Sequence, residues 1–160
     1  MVVGSGGREH ALVETLAAST LQPVMYAAPG NPGISRIAQT VDIPADDLVA
    51  LRDYARENEI DLTVVGPESP LIGGISEAFW EEGLKVFGPS RAAARIEGSK
   101  VFAKELMRHA GVPTARYEAF DTEAAAIAYL RAHHDYPVVV KADGAAAGKG
   151  VTIARTRDEA

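Results

Sequence analysis

The sequence contains no cysteine, which excludes both a disulfide framework and thiolate-bound metal sites and fits a reducing compartment. It has no apolar run near the roughly 20 residues of a membrane-spanning helix, and we expect no signal peptide. Basic side chains are outnumbered, 16 against 22 acidic ones, and the net charge of −6 argues against a nucleic-acid surface. We therefore expect a cytoplasmic chain that binds neither membrane nor nucleic acid.

The composition is that of a globular protein. Hydrophobic residues make up 47% of the chain and charged residues 24%, so the sequence has enough apolar material for a packed core. A length of 160 residues suits one domain, or one domain and part of another. Because the protein as a whole is negatively charged, any phosphate-binding site must depend on a local group of positive charges and backbone N–H groups.

Strand and helix patterns alternate over the first ninety residues. Strands are predicted at 1–3, 23–28, a short stretch that closes at 42–43, 62–65 and 85–87. One helix is predicted at about 8–19 and another near 75–82. Between them, a third helix is predicted to begin after a cap at Asp46 or Asp47. The run at 62–65 is continuously apolar, which is typical of a parallel strand covered on both faces. The alternation predicts a doubly wound α/β fold with a parallel sheet.

The pattern changes after residue 88. A helical stretch at 90–110 is interrupted near Gly98, and Ser99 can cap its second half. Next come a short strand at 117–120 and a helix that starts at Asp121 or Thr122. They are followed by a hairpin with strands at 137–141 and 151–154, and by a further helix start at Arg157. We predict one domain over residues 1–98 and a second over residues 99–160.

A glycine-rich loop at 4–7 follows the first strand and precedes a helix. It resembles a dinucleotide-binding fingerprint, but Glu9 occupies the position of the third glycine. The second strand is followed by Pro29-Gly-Asn31 instead of the acidic residue that would bind a ribose hydroxyl. The loop still points N–H groups from a helix N-terminus into the crevice at the strand ends, which favours an anion such as a sugar phosphate.

A second glycine-rich segment, Lys141–Gly150, lies between the two hairpin strands. It is not a P-loop, because only three residues separate Gly144 from Gly148 and a glycine follows Lys149 where a hydroxyl should bind magnesium. The pattern favours a loop that folds over ATP, with a lysine near each end. Lys100 and Lys104 share one face of the upstream helix, and either one could approach the nucleotide from the other side.

Six motifs in one order carry a family resemblance. The segments are 4–12, 28–31, 61–68, 88–90, 97–100 and 141–151. The chain resembles the phosphoribosylamine–glycine ligase (glycinamide ribonucleotide synthetase) family of ATP-grasp enzymes in purine biosynthesis. The resemblance covers essentially the whole sequence but only about the first two-fifths of such an enzyme. We therefore expect a truncated ATP-grasp domain and a fragment inactive by itself. Since the first predicted strand has three residues against a usual length of about five or six, we also expect it to lack residues.

The resemblance implies a reaction that joins glycine to 5-phosphoribosylamine and converts ATP to ADP and phosphate. It implies a nucleotide site made of Lys100, Lys141, Asp143, Gly144, Gly148, Lys149 and Gly150. It also implies Mg²⁺ or Mn²⁺, with metal ligands expected beyond residue 160. One departure is Ala145, where the family usually has leucine, and this substitution would loosen packing of the loop without removing its amides.

The crevice at the strand ends is assigned, by the same resemblance, to the phosphoribosylamine side. Its residues are Gly4, Gly6, Gly7, Arg8, Glu9, His10, Pro29, Gly30, Asn31, Gly66, Pro67 and Glu68. We expect a monomer whose partners are ATP, glycine and phosphoribosylamine. Two alternatives stay open: another purine-pathway ATP-grasp enzyme, and a non-catalytic fragment that binds a nucleotide or a sugar phosphate.

Overall fold

The computed structural model describes residues 1–144 and 150–160, in two compact units, Met1–Arg95 and Ile96–Ala160. The first unit contains a five-stranded sheet in the order β3-β2-β1-β4-β5, with every pairing parallel. Its strands are β1 (Val2–Gly4), β2 (Tyr26–Pro29), β3 (Gln39–Thr40), β4 (Thr63–Val65) and β5 (Val86–Phe87). The strand order reverses between β1 and β4, and a crevice at such a switch point is the usual ligand position in this class of sheet.

Helices connect the strands and confirm the doubly wound α/β prediction. They are α1 (Gly7–Ala17), α2 (Leu48–Glu57), α3 (Glu68–Gly73), α4 (Ile75–Glu81) and α5 (Arg91–Gly98), with a short 3-10 turn at Ile34–Arg36. Asp47, one of the two predicted caps, accepts a hydrogen bond from the Ala50 N–H at 3.0 Å and starts α2. Leu51 and Ala55, four residues apart on one face of that helix, are buried.

Both faces of the sheet are covered. Val2 and Val3 are adjacent on β1, and because successive side chains of a strand point to opposite faces, they belong to different buried clusters. The Val3 cluster includes Leu51, Ile75 and Phe79, and the Val2 cluster includes Val13 and Ile34. The neighbouring strand β4 is buried in the same way over Thr63–Val65, whereas Leu62, just before it, is exposed.

Three boundaries in the first unit differ from the predictions. The second strand begins at Tyr26 instead of Pro23, because its pairing with β3 starts at Tyr26 and its pairing with β1 at Ala27, and Pro23 has no N–H to donate. The third strand is Gln39–Thr40 and does not reach residue 43. Helix α3 is absent from the predictions, and Pro70 lies in its first turn, where a helix tolerates proline.

The second unit contains α6 (Lys100–His109), α7 (Glu123–Ala132) and an antiparallel hairpin of β6 (Val138–Lys141) and β7 (Val151–Ala154). Ser99 caps α6, accepting from the Phe102 N–H at 3.1 Å, and Thr122 caps α7, accepting from the Ala125 N–H at 3.3 Å. The interruption near Gly98 and both hairpin strands are therefore confirmed. In residues 1–144 and 150–160, every helix is too short or too polar to span a bilayer.

Two predictions for the second unit are wrong. Residues 117–120 form no strand, because strand propensity is not enough without a neighbouring strand to accept the backbone hydrogen bonds. Arg157 begins a turn instead of a helix. In that turn the Ala160 N–H reaches back to the Arg157 carbonyl at 3.2 Å, and the Arg155 N–H donates to the Glu159 carboxylate at 2.7 Å.

Candidate functional site

Three loops meet at the carboxyl edge of the parallel sheet. They follow β1, β2 and β4, and the twelve residues assigned to the phosphoribosylamine side lie in these loops, at the strand ends before them or at the helix starts after them. The Gly30 N–H donates to the Gly4 carbonyl at 3.2 Å, and the Gly66 N–H donates to the Val3 carbonyl at 3.1 Å. Backbone hydrogen bonds therefore join the three loops, which together line the crevice at the switch point.

Glu9 explains several of the glycines. Its side chain is only 4% exposed, and its Oε2 accepts a hydrogen bond from the Gly6 N–H at 2.6 Å. A Cβ atom added at Gly4, Gly6 or Gly66 would overlap the Glu9 side chain. These three glycines therefore make room for a buried carboxylate, a role that sequence reasoning missed although Glu9 stood at the unusual position of the fingerprint. The Gly6 N–H, already paired with Glu9, is not free to bind an anion.

The Asn31 side chain joins the loop after β2 to the loop after β1. Its Nδ2 donates to the Ser5 carbonyl at 2.9 Å, and its Oδ1 accepts from the N–H groups of Gly33 at 2.8 Å and Ile34 at 2.9 Å. With both ends of the amide occupied inside the protein, Asn31 shapes the wall of the crevice.

Replacing Asn31 with alanine should lower the free energy of unfolding by about 2 kcal/mol, since three hydrogen bonds are lost and the N–H groups of Gly33 and Ile34 stay partly buried. Urea unfolding followed by circular dichroism measures this loss. Ser35→Ala is the matched control, because the exposed Ser35 hydroxyl makes one local hydrogen bond, to the Pro32 carbonyl at 3.0 Å. A loss no larger for Asn31→Ala than for the control would contradict the assigned role.

Arg8 and Glu68 are the exposed charges of the crevice. Arg8 Nη2 lies 3.4 Å from Glu68 Oε2, and the two side chains are 76% and 43% exposed. An exposed pair at this distance contributes little to stability, so the guanidinium is available to an incoming phosphate. His10 lies beside them on α1, packed against Gly33, with its Nε2 3.6 Å from Glu14.

The hairpin of the second unit presents Lys141 at the end of β6. Lys141 pairs with Val151 in the ladder, and the next residue, Ala142, donates its N–H to the Gly150 carbonyl at 2.8 Å. The Lys141 side chain is exposed, and among residues 1–144 and 150–160 no carboxylate lies within ion-pair distance of it. Gly148 and Lys149, also assigned to the nucleotide, lie outside the described residues.

Asp143 and Lys100 lie together at the start of α6. Asp143 Oδ1 accepts from the Lys100 N–H at 2.7 Å and the Val101 N–H at 3.2 Å, and Oδ2 accepts from the Ser99 hydroxyl at 3.0 Å. The Lys100 ammonium donates to the Gly144 carbonyl at 2.6 Å. Desolvation raises the pKa of the Asp143 carboxyl, but hydrogen bonds from Val101, Ser99, Gly144 and Lys100 outweigh it and hold that pKa below its usual value.

Lys104, the other lysine on the same helix face, is engaged elsewhere. Its ammonium donates to the Thr114 hydroxyl at 2.7 Å and to the Ala115 carbonyl at 2.9 Å. It also lies 5.5 Å from the centre of the Tyr117 ring, which is within the range of a cation–π contact. Among residues 1–144 and 150–160, Lys100 contacts the hairpin that contains Lys141, whereas the hydrogen bonds of Lys104 go to Thr114 and Ala115.

The described part of the chain offers no metal centre, since no three carboxylate or imidazole side chains within it come together around one point. Such a group would form a self-contained metal centre, whereas the Mg²⁺ that accompanies ATP is usually held by one or two carboxylates together with phosphate oxygens and water. We assign no metal ligand among residues 1–144 and 150–160.

A crevice at the switch point of a parallel sheet, followed by an antiparallel hairpin with a glycine-rich loop and nearby lysines, defines a protein of the ATP-grasp class. Family models make the assignment specific. "Phosphoribosylglycinamide synthetase, N domain" matches residues 1–97, and "Phosphoribosylglycinamide synthetase, ATP-grasp (A) domain" matches residues 98–160. The chain belongs to the phosphoribosylglycinamide synthetase family, which confirms the resemblance drawn from the six motifs.

Individual relatives agree with this assignment. A phosphoribosylamine–glycine ligase of Brucella melitensis is 52% identical over 160 residues, which are 100% of this chain and 37% of the relative. The crystal structure of phosphoribosylamine–glycine ligase from Thermotoga maritima superposes with a TM-score of 0.73 at 33% identity, over 99% of this chain and 36% of that one. A biotin carboxylase domain from Hydrogenobacter thermophilus shares the fold, with a TM-score of 0.77 at 21% identity, over 99% of this chain and 38% of that one.

Proposed function

We propose that this protein acts in the ligase that joins glycine to 5-phosphoribosylamine, forming glycinamide ribonucleotide while ATP becomes ADP and phosphate. The observation that carries the proposal is the meeting of three loops at one sheet edge, within the segment that matches the family's N domain. Residues 1–98 form the phosphoribosylamine-binding domain, and residues 99–160 contribute to the ATP-grasp domain. The protein works in the cytoplasm as a monomer.

The sugar-phosphate side uses two sources of positive potential. The first turn of α1 directs backbone N–H groups toward the sheet edge, and the exposed Arg8 guanidinium adds a formal charge that suits a phosphate. Glu9 and Asn31 serve this subsite by holding its loops in place. The Glu68 carboxylate, which accepts hydrogen bonds, suits a sugar hydroxyl or the amine of the substrate.

The nucleotide side uses Lys100 and Lys141 as point charges on the phosphates, with backbone from Gly144 and Gly150 nearby. ATP is accompanied by a divalent cation, Mg²⁺ or Mn²⁺, which supplies charge neutralisation on the phosphates. The lysines and the backbone N–H groups do the same from the protein, so that catalysis here consists of positioning and of stabilising negative charge.

The reaction proceeds through an acyl phosphate. A glycine carboxylate oxygen attacks the γ-phosphorus, the bond to the β-phosphate oxygen breaks, and ADP leaves. The phosphoribosylamine nitrogen then attacks the acyl carbon, inorganic phosphate departs with the C–O bonding electrons, and the nitrogen loses a proton to give the amide. Phosphorylation is required because a carboxylate cannot expel oxide from carbon.

Two substitutions test whether ATP and the sugar phosphate bind at separate subsites. In the complete protein, Lys141→Ala should weaken ATP binding about tenfold, the loss of one charge-assisted contact, and leave glycinamide ribonucleotide binding nearly unchanged. Arg8→Ala, on the other unit, should have the reverse pattern for the same reason. Isothermal titration calorimetry with each ligand separately measures both affinities.

The control for this pair is thermal unfolding of each variant, which separates a lost contact from a lost fold. Equal losses of affinity for ATP and for glycinamide ribonucleotide in either variant would argue against two distinct subsites. Turnover with glycine is then compared with turnover with formate and with bicarbonate in its place. A preference for formate or bicarbonate would replace the glycine ligase with another ATP-grasp enzyme.

A further inference from the structure

We propose that Asp143 is a positioning residue, which holds the start of α6 so that the Lys100 ammonium meets the nucleotide phosphates, and that it does not itself contact ATP. This inference rests on the proposed nucleotide site and assigns its members different tasks. It reassigns Asp143, which the family resemblance grouped with the ATP-binding residues, to the support of another side chain.

The carboxylate of Asp143 is already occupied. Oδ1 accepts two hydrogen bonds, from the N–H groups of Lys100 and Val101, and Oδ2 accepts one from the Ser99 hydroxyl. The first N–H groups of a helix have no partner inside the helix, and a negative charge at that end is favourable. Asp143 supplies the hydrogen-bond acceptor and the negative charge, although it lies 43 residues after Lys100 in the sequence. It therefore joins the end of the hairpin strand to the start of α6.

Lys100 is thereby held at two points. Its backbone N–H donates to Asp143 at 2.7 Å, and its side-chain ammonium donates to the Gly144 carbonyl at 2.6 Å. The backbone bond fixes where the side chain starts, and the second bond directs its charged end to the base of the hairpin. A neutral carbonyl is a weaker partner for an ammonium than a phosphate oxygen, so a nucleotide can take over this contact.

The opposite charges of Asp143 and Lys100 suit them to different roles. A carboxylate placed against a triphosphate repels it, whereas the lysine beside it attracts it. An aspartate carboxyl is ionised at neutral pH, and the hydrogen bonds that hold the pKa of Asp143 below its usual value favour this charged form further. An ionised Asp143 is therefore suited to holding N–H groups of the helix and poorly suited to binding phosphate.

A double-mutant cycle on ATP affinity tests the inference in the complete protein. Asp143→Ala should raise the Kd for ATP about tenfold, and Asp143→Asn, which keeps an acceptor oxygen for the N–H groups, should raise it less. When Lys100 is already alanine, Asp143→Ala should change the Kd by less than about twofold, because its effect is exerted through Lys100. Asp121→Asn is the matched control, since Asp121 is an exposed carboxylate just before the cap of α7.

The outcomes are distinct. A full tenfold effect of Asp143→Ala in the Lys100→Ala background, or an equal effect of Asp121→Asn, would overturn the inference and leave the proposed function intact. A wild-type protein that binds no ATP would overturn the proposed function, and the inference with it. If Asp143→Ala fails to fold by circular dichroism, Asp143→Asn replaces it in the same cycle, and additivity with Lys100→Ala would again count against the inference.

Discussion

Replacing Gly4 with alanine is expected to lower the free energy of unfolding by about 4 kcal/mol, from two separate costs. The first is conformational, because Gly4 has a φ of +122°, where a residue with a Cβ atom is strained. The second is steric, because the added Cβ would lie 2.6 Å from Glu9 Cγ and 2.9 Å from Pro67 Cδ. Denaturant unfolding monitored by circular dichroism measures the change.

Gly7→Ala is the matched control in the same loop. A Cβ at Gly7 meets no atom within 4 Å, and Gly7 is the first residue of α1, where alanine is a better helix former. We expect this variant to be as stable as the wild type or slightly more stable. In a Glu9→Ala background the steric part of the Gly4→Ala cost should shrink while the conformational part remains. Similar losses at Gly4 and Gly7 would contradict the account of this loop.

Lys100→Ala is expected to weaken ATP binding about a hundredfold, the largest functional effect that we predict for a single side chain. The reason is the position of its ammonium at the base of the glycine-rich hairpin, 2.6 Å from the Gly144 carbonyl, where a phosphate would gain a charge-assisted hydrogen bond. A hundredfold change corresponds to about 2.7 kcal/mol, which is within the range for a hydrogen bond to a charged group. Titration calorimetry with ATP and Mg²⁺ measures it.

Lys104→Ala is the comparison that makes this prediction selective. Lys104 lies one turn further along α6, and its ammonium holds Thr114, Ala115 and the face of Tyr117. Its loss should lower thermal stability while ATP affinity stays within about threefold of the wild type, since only local contacts disappear. If instead Lys104→Ala impairs ATP binding as much as Lys100→Ala, the assignment of Lys100 is incorrect.

Local chemistry was enough to predict much of the fold. Hydrophobic continuity at 62–65 predicted a strand buried on both faces, and the structure has Thr63–Val65 there. Ser99 was recognised as a cap because a hydroxyl residue preceded a helical stretch, and its side chain does cap α6. These features depend on residues near one another in the chain, which is where sequence patterns are informative.

Features that depend on distant partners were missed. Residues 117–120 have the composition of a strand, yet a strand forms only when another backbone accepts its hydrogen bonds, and that requirement is not visible locally. Likewise, nothing near Glu9 in the sequence shows that Gly66, in the loop after β4, leaves space for its carboxylate. The sequence also could not choose between Lys100 and Lys104, because both lie on one helix face and differ only in which later residues they meet.

The sequence by itself determined the fold class, the alternation of strands and helices over the first ninety residues and, through six ordered motifs, the phosphoribosylglycinamide synthetase family. Tertiary structure alone decided which glycines accommodate a carboxylate and which lysine contacts the glycine-rich hairpin. The physical reason is the distance along the sequence over which each interaction acts. Backbone propensity and hydrophobic periodicity act within a turn or a strand, whereas the contacts of Glu9, Lys100 and Asp143 join positions that only the folded chain brings together.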